Sequence, residues 1–251
     1  MNSQASLNLV SIIMPAFNSE EFISEAIESV LCQNYLDIEL IVVIDGGSDS
    51  SGAIAEKYAQ RDVRVKVIFQ ECNFGIAAAR NTGIEQSSGR YLAFCDSDDV
   101  WLPSKLCEQL KLMRDRNLRL LHGSALLIDA LGETIGQRVM PEMVNQSMMK
   151  RRNFIITSSA LIDTVHFGLI HQNSIRHEDY DLWLRLFDSD VISACLKEPV
   201  VKYRIHGSNL TSSSLRSLRW MVAVQRRNNI SWVSIFFGLF FNAYSRFFSS
   251  K

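Results

Sequence analysis

Residues 90–103 read RYLAFCDSDDVWLP, an apolar run that ends on three aspartates within four positions, Asp96, Asp98 and Asp99. The run has the make-up of a buried β-strand, and GIAAARNTGIEQ at 75–86 ahead of it suits a helix. A strand that follows a helix and leaves through a polar loop is the repeating unit of a parallel sheet. Three ionised carboxylates at close range repel one another unless something positive sits among them. The stretch therefore indicates both a fold class and a site.

Working outward, the same alternation recurs. LVSIIMP at 9–15 reads as a first strand and SEEFISEAIESVLCQ at 19–33 as a helix opening on a Ser cap with early acids. IELIVVID and SSGAIAEKYAQ give a second strand and helix, RVKVIF a third strand, and LPSKLCEQLKLMRDR a helix with Pro103 near its start. Continuous apolar strands alternating with helices predict a parallel sheet covered on both faces. Ligands of such sheets collect beyond the carboxyl ends of the strands. Three strands end in the polar loops AFNSEE, DGGSDSS and DSDD, so these loops should share one rim.

The second half is less regular. LRLLHGSALLID and GETIGQRVM read as a strand pair, ITSSALID as another strand, HEDYDLWLRLFDS as an amphipathic helix, and EPVVKYRIHGSN as a strand entering a polar loop. From about Ser212 the chain reads as helices. The expected organisation is a domain over 1–211, with one half at 9–116 and another at 117–211, to which the resemblance given below assigns nucleotide binding and the acceptor, followed by a basic and aromatic tail at 212–251.

Composition bounds the function. The 251 residues carry a formal net charge of −1, which argues against a nucleic-acid partner. After Glu198 there is no acidic residue, while Lys202, Arg204, Arg216, Arg219, Arg226, Arg227, Arg246 and Lys251 follow. The five cysteines are scattered and never spaced as CxxC, as in a protein of a reducing compartment. With no basic, apolar leader visible, the cytoplasm is the expected location. The absence of GxGxxG after the first strand disfavours a dinucleotide oxidoreductase.

Asp96 and Asp98 alternate along an extended chain and so converge on one side. Hard divalent cations, magnesium or manganese, take such oxygens and often bind through one or two carboxylates plus substrate phosphates. The plainer reading is a solvated acidic turn with a helix cap. On SIIMPAFNSEEFISEAIESVLCQ, IELIVVIDGGSDSS, NFGIAAARNTGIEQSSGRYLAFCDSDDVWLP, HEDYDLWLRL and YRIHGSN, found in that order between about residues 9 and 209, the chain resembles the family 2 glycosyltransferases. The resemblance implies a GT-A fold, with a mostly parallel Rossmann-like sheet flanked by helices, a smaller acceptor-side lobe and a C-terminal helical tail. It implies inverting transfer of one sugar from a nucleotide diphosphate, UDP above all, to an acceptor hydroxyl on a lipid-linked or surface-polysaccharide precursor. A catalytically silent binder of nucleotide sugars is the alternative.

Carried over residue by residue, the resemblance places Pro15, Ala16, Phe17 and Asn18 in the nucleoside pocket, with Phe17 able to stack on a base or simply to pack. Asp45 matches the second of the family's paired acids, and Ile44 stands where the first is usual. Gly75 and Arg80 fall near the nucleotide, although Arg80 equally suits a structural ion pair. Asp98 is implied as a direct metal ligand, Asp96 as a ribose or metal contact, and His206 as a neighbour of the diphosphate and cation. Asp179 matches the general base with Glu178 second, and the plainer reading of both is first-turn acids that complement the helix dipole. Trp183 and Arg185 are acceptor-side candidates, and Trp183 suits packing as well.

In the tail, ISWVSIFFGLFFNAYSRFF falls short of the ~20 apolar residues a spanning helix needs. Ser231, Ser234, Gly238, Asn242 and Ser245 draw a small, polar stripe between aromatic faces flanked by arginines. This suits a helix lying in an anionic membrane surface on the cytoplasmic face, or one packed on the domain or in a homodimer contact. RSLRW at 216–220 has Arg216 where the processive synthases of the family carry Gln, which points to single-sugar transfer.

Overall fold

The first apolar run forms the middle of β1 (Ser6–Ala16), and parallel strands flank it on both sides, β2 (Ile38–Ile44) and β4 (Gly89–Phe94). β3 (Val65–Phe69) continues the parallel array beyond β2. Every residue of β2 is buried, as expected of a strand covered on both faces. Side-chain alternation divides the core. Ile12, Met14, Leu40 and Val42 meet Ile27 and Val30 of α1 (Ile23–Leu31) on one face. Ile13, Ile41, Val43, Leu92 and Phe94 pack on Ala79 of α3 (Ile76–Glu85) and on Trp183 on the other. Gly83 lets α3 approach the sheet, because a Cβ there would lie 2.4 Å from Ile13 Cγ2. α2 (Ser51–Ala59) and α4 (Lys105–Asp115) complete the flanking helices.

The computed structural model describes residues 6–187, 190–206 and 215–238. Within these, the second half extends the first sheet instead of standing apart. β10 (Leu161–Asp163) runs antiparallel to β4, β6 (Leu120–His122) pairs with β10, and β11 (Ile192–Cys195) and β9 (Met143–Asn145) finish that edge. A smaller sheet follows the order β5 (Val100–Trp101), β12 (Val201–Arg204), β7 (Ala125–Ile128) and β8 (Thr134–Arg138). α5 (Gln146–Met149), α6 (Glu178–Leu186) and α7 (Leu215–Arg227) lie in the second half.

Three sequence expectations change. The first helix begins at Ile23, not at Ser19, because Ser19 is spent joining loops: its N–H donates to Ser51 Oγ and its Oγ accepts from Ser97 Oγ. LRLLHGSALLID is not one strand but two, β6 and β7, which belong to different sheets. The chain changes sheet at Gly123, where Val200 fills the space a side chain would need. ITSSALID opens as a single 3-10 turn at Thr157–Ser159 before β10. The Ser159 hydroxyl turns back to Ile156 O, which favours a turn over a ladder.

Candidate functional site

The register aligns Ala16 with Ile44 and Ile13 with Phe94, so the loops after β1, β2 and β4 open on one rim. Pro15 and Ala16 are buried at the end of β1, whereas Phe17 is 47% exposed and so is no part of the core. Asn18 has φ 48° and its Oδ1 accepts from Ser48 N–H, tying the first loop to the second. Asp45 is buried, and its two oxygens accept from the N–H groups of Phe74 and Gly75 at 2.7 and 2.9 Å. Gly75, with φ 92°, takes a backbone conformation that L side chains resist and opens α3. Asp45 thus pins the turn that presents Phe74, whose ring is 57% exposed. The sequence reading did not single out Phe74, although it lies in the same NFG turn as Gly75.

The three aspartates after β4 meet three different fates. Asp99 is buried, with one oxygen accepting from Ser158 Oγ and the other from the Arg204 N–H. Burial and the neighbouring Asp98 and Asp96 push its carboxyl well above the usual range. Asp98 Oδ2 faces His206 Nε2 at 2.8 Å, and burial and Asp96 raise its pKa despite that partner. Asp96 Oδ1 accepts from Arg80 Nη2 at 2.7 Å. The positive group among the carboxylates is therefore Arg80, and His206 is a hydrogen-bond partner of Asp98.

Arg80 is buried within α3, and its second nitrogen donates to Glu178 Oε1 at 2.9 Å. Burial works against its charge, but Asp96 and Glu178 outweigh it and hold the guanidinium protonated. Glu178 has a raised pKa because burial and Asp179 outweigh Arg80. Asp179 stands beside it in the first turn of α6, with Oδ2 accepting from Asn153 Nδ2 at 3.0 Å and Thr157 Oγ1 at 3.3 Å. A single guanidinium spans the gap between the aspartate loop and the helix that carries Asp179.

His206 also lies 5.1 Å from the Phe22 ring, centroid to centroid, at the entry to α1. Arg204, fully buried, donates from Nε to Asp98 O at 2.9 Å and pairs with Glu25, which fastens the smaller sheet to the aspartate loop. Among the described residues no three His, Cys, Asp or Glu side chains converge as a ready cluster for a metal. The donor set fits a cation shared with a ligand: Asp98 and His206 offer an oxygen and a nitrogen side by side, and phosphates would complete the shell.

Trp183 is fully buried and sits edge-on to Phe94, so it packs and does not line the rim. Arg185 reaches back to Asp181 Oδ2 at 3.0 Å and to His171 O. Beyond α6, α7 is fastened to the domain by Gln225, which donates to Lys150 O and Tyr180 Oη. Residues 232–238 are helical, with Ile235 buried and Gly238 against Arg151 O. The opposite face leaves Trp232, Val233, Phe236 and Phe237 between 62% and 69% exposed. Among the described residues no helix is long and apolar enough to cross a membrane, and Asn242 and Ser245 lie outside them.

The family model described as glycosyl transferase family 2 matches residues 11–178. An Escherichia coli UDP-Glc:alpha-D-GlcNAc-diphosphoundecaprenol beta-1,3-glucosyltransferase, WfgD, is 33% identical over 212 residues, 84% of this chain and 83% of its own length. A second Escherichia coli enzyme with the same named activity, WfaP, is 29% identical over 212 residues, with the same coverage of 84% and 83%. Among solved structures, residues 1–349 of S. aureus TarS in complex with UDP-GlcNAc superpose with a TM-score of 0.70 at 20% identity, over 86% of this chain and 66% of that one. At that identity the likeness shows the fold, which is GT-A. This chain spans just under two thirds of that structure's length.

Proposed function

The chain belongs to glycosyl transferase family 2, and on that premise we propose that it is an inverting, metal-dependent transferase that moves one sugar from a UDP donor to a hydroxyl of a lipid-linked acceptor. The observation that carries the reading is the Arg80 bridge. It ties Asp96, beside Asp98 and His206, to the first turn of α6, where Glu178 and Asp179 stand.

Asp179 is the proposed base. Asn153 and Thr157 both donate to its Oδ2 and so orient the carboxylate, leaving Oδ1 to take the acceptor proton. As that proton leaves, the acceptor oxygen attacks the anomeric carbon from the face opposite the nucleotide diphosphate, and the configuration inverts. Such a base typically contributes ~10²–10⁴-fold. Phe17 and Phe74 offer exposed rings to the nucleoside, and Asp96, held by Arg80, lies toward the ribose. Asp98 and His206 would hold a magnesium or manganese ion, whose chemistry when bound is to neutralise the departing diphosphate. The exposed apolar face of 232–238 supports a position at the cytoplasmic surface of a membrane, where lipid-linked acceptors reside.

A screen of nucleotide sugars for manganese-dependent thermal stabilisation, followed by assay of the best donor with a sugar-diphosphate-lipid acceptor, tests this. A UDP-sugar should raise Tm only with the metal, and the product anomer should be inverted. Retention of configuration, or stabilisation independent of metal, would overturn it.

A further inference from the structure

Away from the rim, α7 and the residues leading into α6 enclose a cleft of about 400 Å³ lined by Ile175, Arg176, Trp220, Ala223, Val224 and Arg227. That volume is in the ~300–1,000 Å³ range of small-molecule sites. Its floor is apolar, and among the described residues that line it the charged ones are Arg176 and Arg227. Arg176 lies over the Trp220 ring at 5.3 Å, and His177 meets the same ring edge-on at 6.1 Å. Arg227 is exposed, and its contact with Asp181 is long at 3.9 Å. Asp181 already accepts from Asn173, Asn228 and Arg185, so it matches the Arg227 charge only in part.

The position of the cleft is as informative as its chemistry. Arg176 precedes Asp179 by three residues, so their backbones lie within about 11 Å, the reach of that much extended chain. In the other direction Arg226, next to Arg227, covers the Trp232 ring at 4.9 Å, where the exposed apolar face of 232–238 begins. Followed along the chain and its contacts, the order is the proposed base, then Arg176 and Arg227 on the apolar cleft, then Arg226 and the exposed apolar ridge. A molecule with a hydroxyl at one end, a diphosphate in the middle and a hydrocarbon chain at the other matches that order. Guanidinium groups pair with phosphate oxygens bidentately.

We propose that this cleft binds the diphosphate and first hydrocarbon units of a lipid-diphosphate acceptor, with Arg176 and Arg227 on the phosphates and Trp220 and Val224 beneath the chain. The inference rests on the transferase reading above and assigns it an acceptor site.

Calorimetry with a short-chain isoprenyl diphosphate, without donor or transfer, tests the cleft by itself. The full-length protein should bind it, and R176A/R227A should bind about tenfold or more weakly, the scale of lost charged hydrogen bonds. R216A/R219A, which removes the same amount of charge from α7 outside the cleft, should bind as the parent does. Inorganic diphosphate should bind more weakly than the isoprenyl compound. With a sugar-diphosphate-lipid acceptor, R176A/R227A should raise the acceptor KM by a similar factor with little change in kcat. Failure of the parent to bind the probe, equal weakening by both double variants, equal affinity for inorganic diphosphate, or equal affinity for a short-chain anionic phospholipid would each overturn the cleft assignment. If the probe binds as described but no acceptor is glycosylated, the cleft stands and the transferase reading fails.

Discussion

Arg80 is buried with its charge intact because two carboxylates from distant parts of the chain meet its two terminal nitrogens. Removing one member of such a buried network typically costs about 3–5 kcal/mol, since the others keep uncompensated charge. Arg80→Met should therefore lower unfolding stability by roughly that amount in urea, and Arg80→Lys should recover only part, because one ammonium cannot span both carboxylates. A neutral stability change would make Arg80 incidental to the site. Asp98→Asn, a poorer ligand for a hard cation, should abolish manganese-dependent UDP binding in calorimetry while the fold is retained. Asp179→Asn should keep donor affinity and slow transfer by ~10²-fold or more; near-normal turnover would move the role to Glu178. Asp45, Asp96, Asp98, Asp179 and His206 can be proposed from the sequence because short motifs carry them. Ser158 and Arg204 were not, since their bonds to the aspartate loop cross 59 and 106 residues, a separation that no local pattern encodes.

At the scale of elements, the alternation of apolar runs and helices reveals the first four strands because each is long enough to show a pattern. β5, β6 and β10 have only two or three residues each, and their pairings depend on which distant segment lies alongside. β2 looks uniformly apolar apart from Glu39, and that exception joins the sheet. Glu39 accepts from Ser11 Oγ on β1, Lys66 Nζ on β3, and both the N–H and Oγ of Ser88 ahead of β4. Burial opposes its charge, but Lys66 and the serine donors prevail and hold the carboxyl below its usual range. A depressed carboxylate contributes stability that is fully present above its unfolded pKa and is lost as pH falls through the folded value. Glu39→Ala should cost about 1–3 kcal/mol at neutral pH by leaving its donors unpaired, and should flatten the stability loss below about pH 4. Parallel acid limbs in parent and variant denaturation profiles would remove Glu39 from that role.

At the scale of the whole molecule, the tail answers two demands at once. Ile230, Ile235 and Gly238 close it against the domain, while Trp232, Val233, Phe236 and Phe237 face outward on a stretch of chain that carries arginines and no acidic residue. The sequence showed the aromatic content and the small stripe, but only packing shows that Gly238 of that stripe is turned inward. This arrangement decides how membrane binding must be tested. Deleting 230–251 would remove Ile230 and Ile235 and uncover the surface they pack against, and the resulting instability would say nothing about lipid. Replacing Trp232, Phe236 and Phe237 with Ser alters exposed positions and should leave Tm nearly unchanged. The full-length protein should float with anionic vesicles and bind neutral ones weakly. High salt should release only part of it, because each basic residue near the surface adds about 1 kcal/mol that is screened beyond ~8–10 Å, whereas apolar insertion persists. The triple Ser variant should lose the salt-resistant part and keep the salt-sensitive part. If it floats as the parent does, the outward face takes no part in lipid binding. If its Tm falls sharply, that face is packed in solution, and the tail joins two copies of the chain instead of the chain and a membrane.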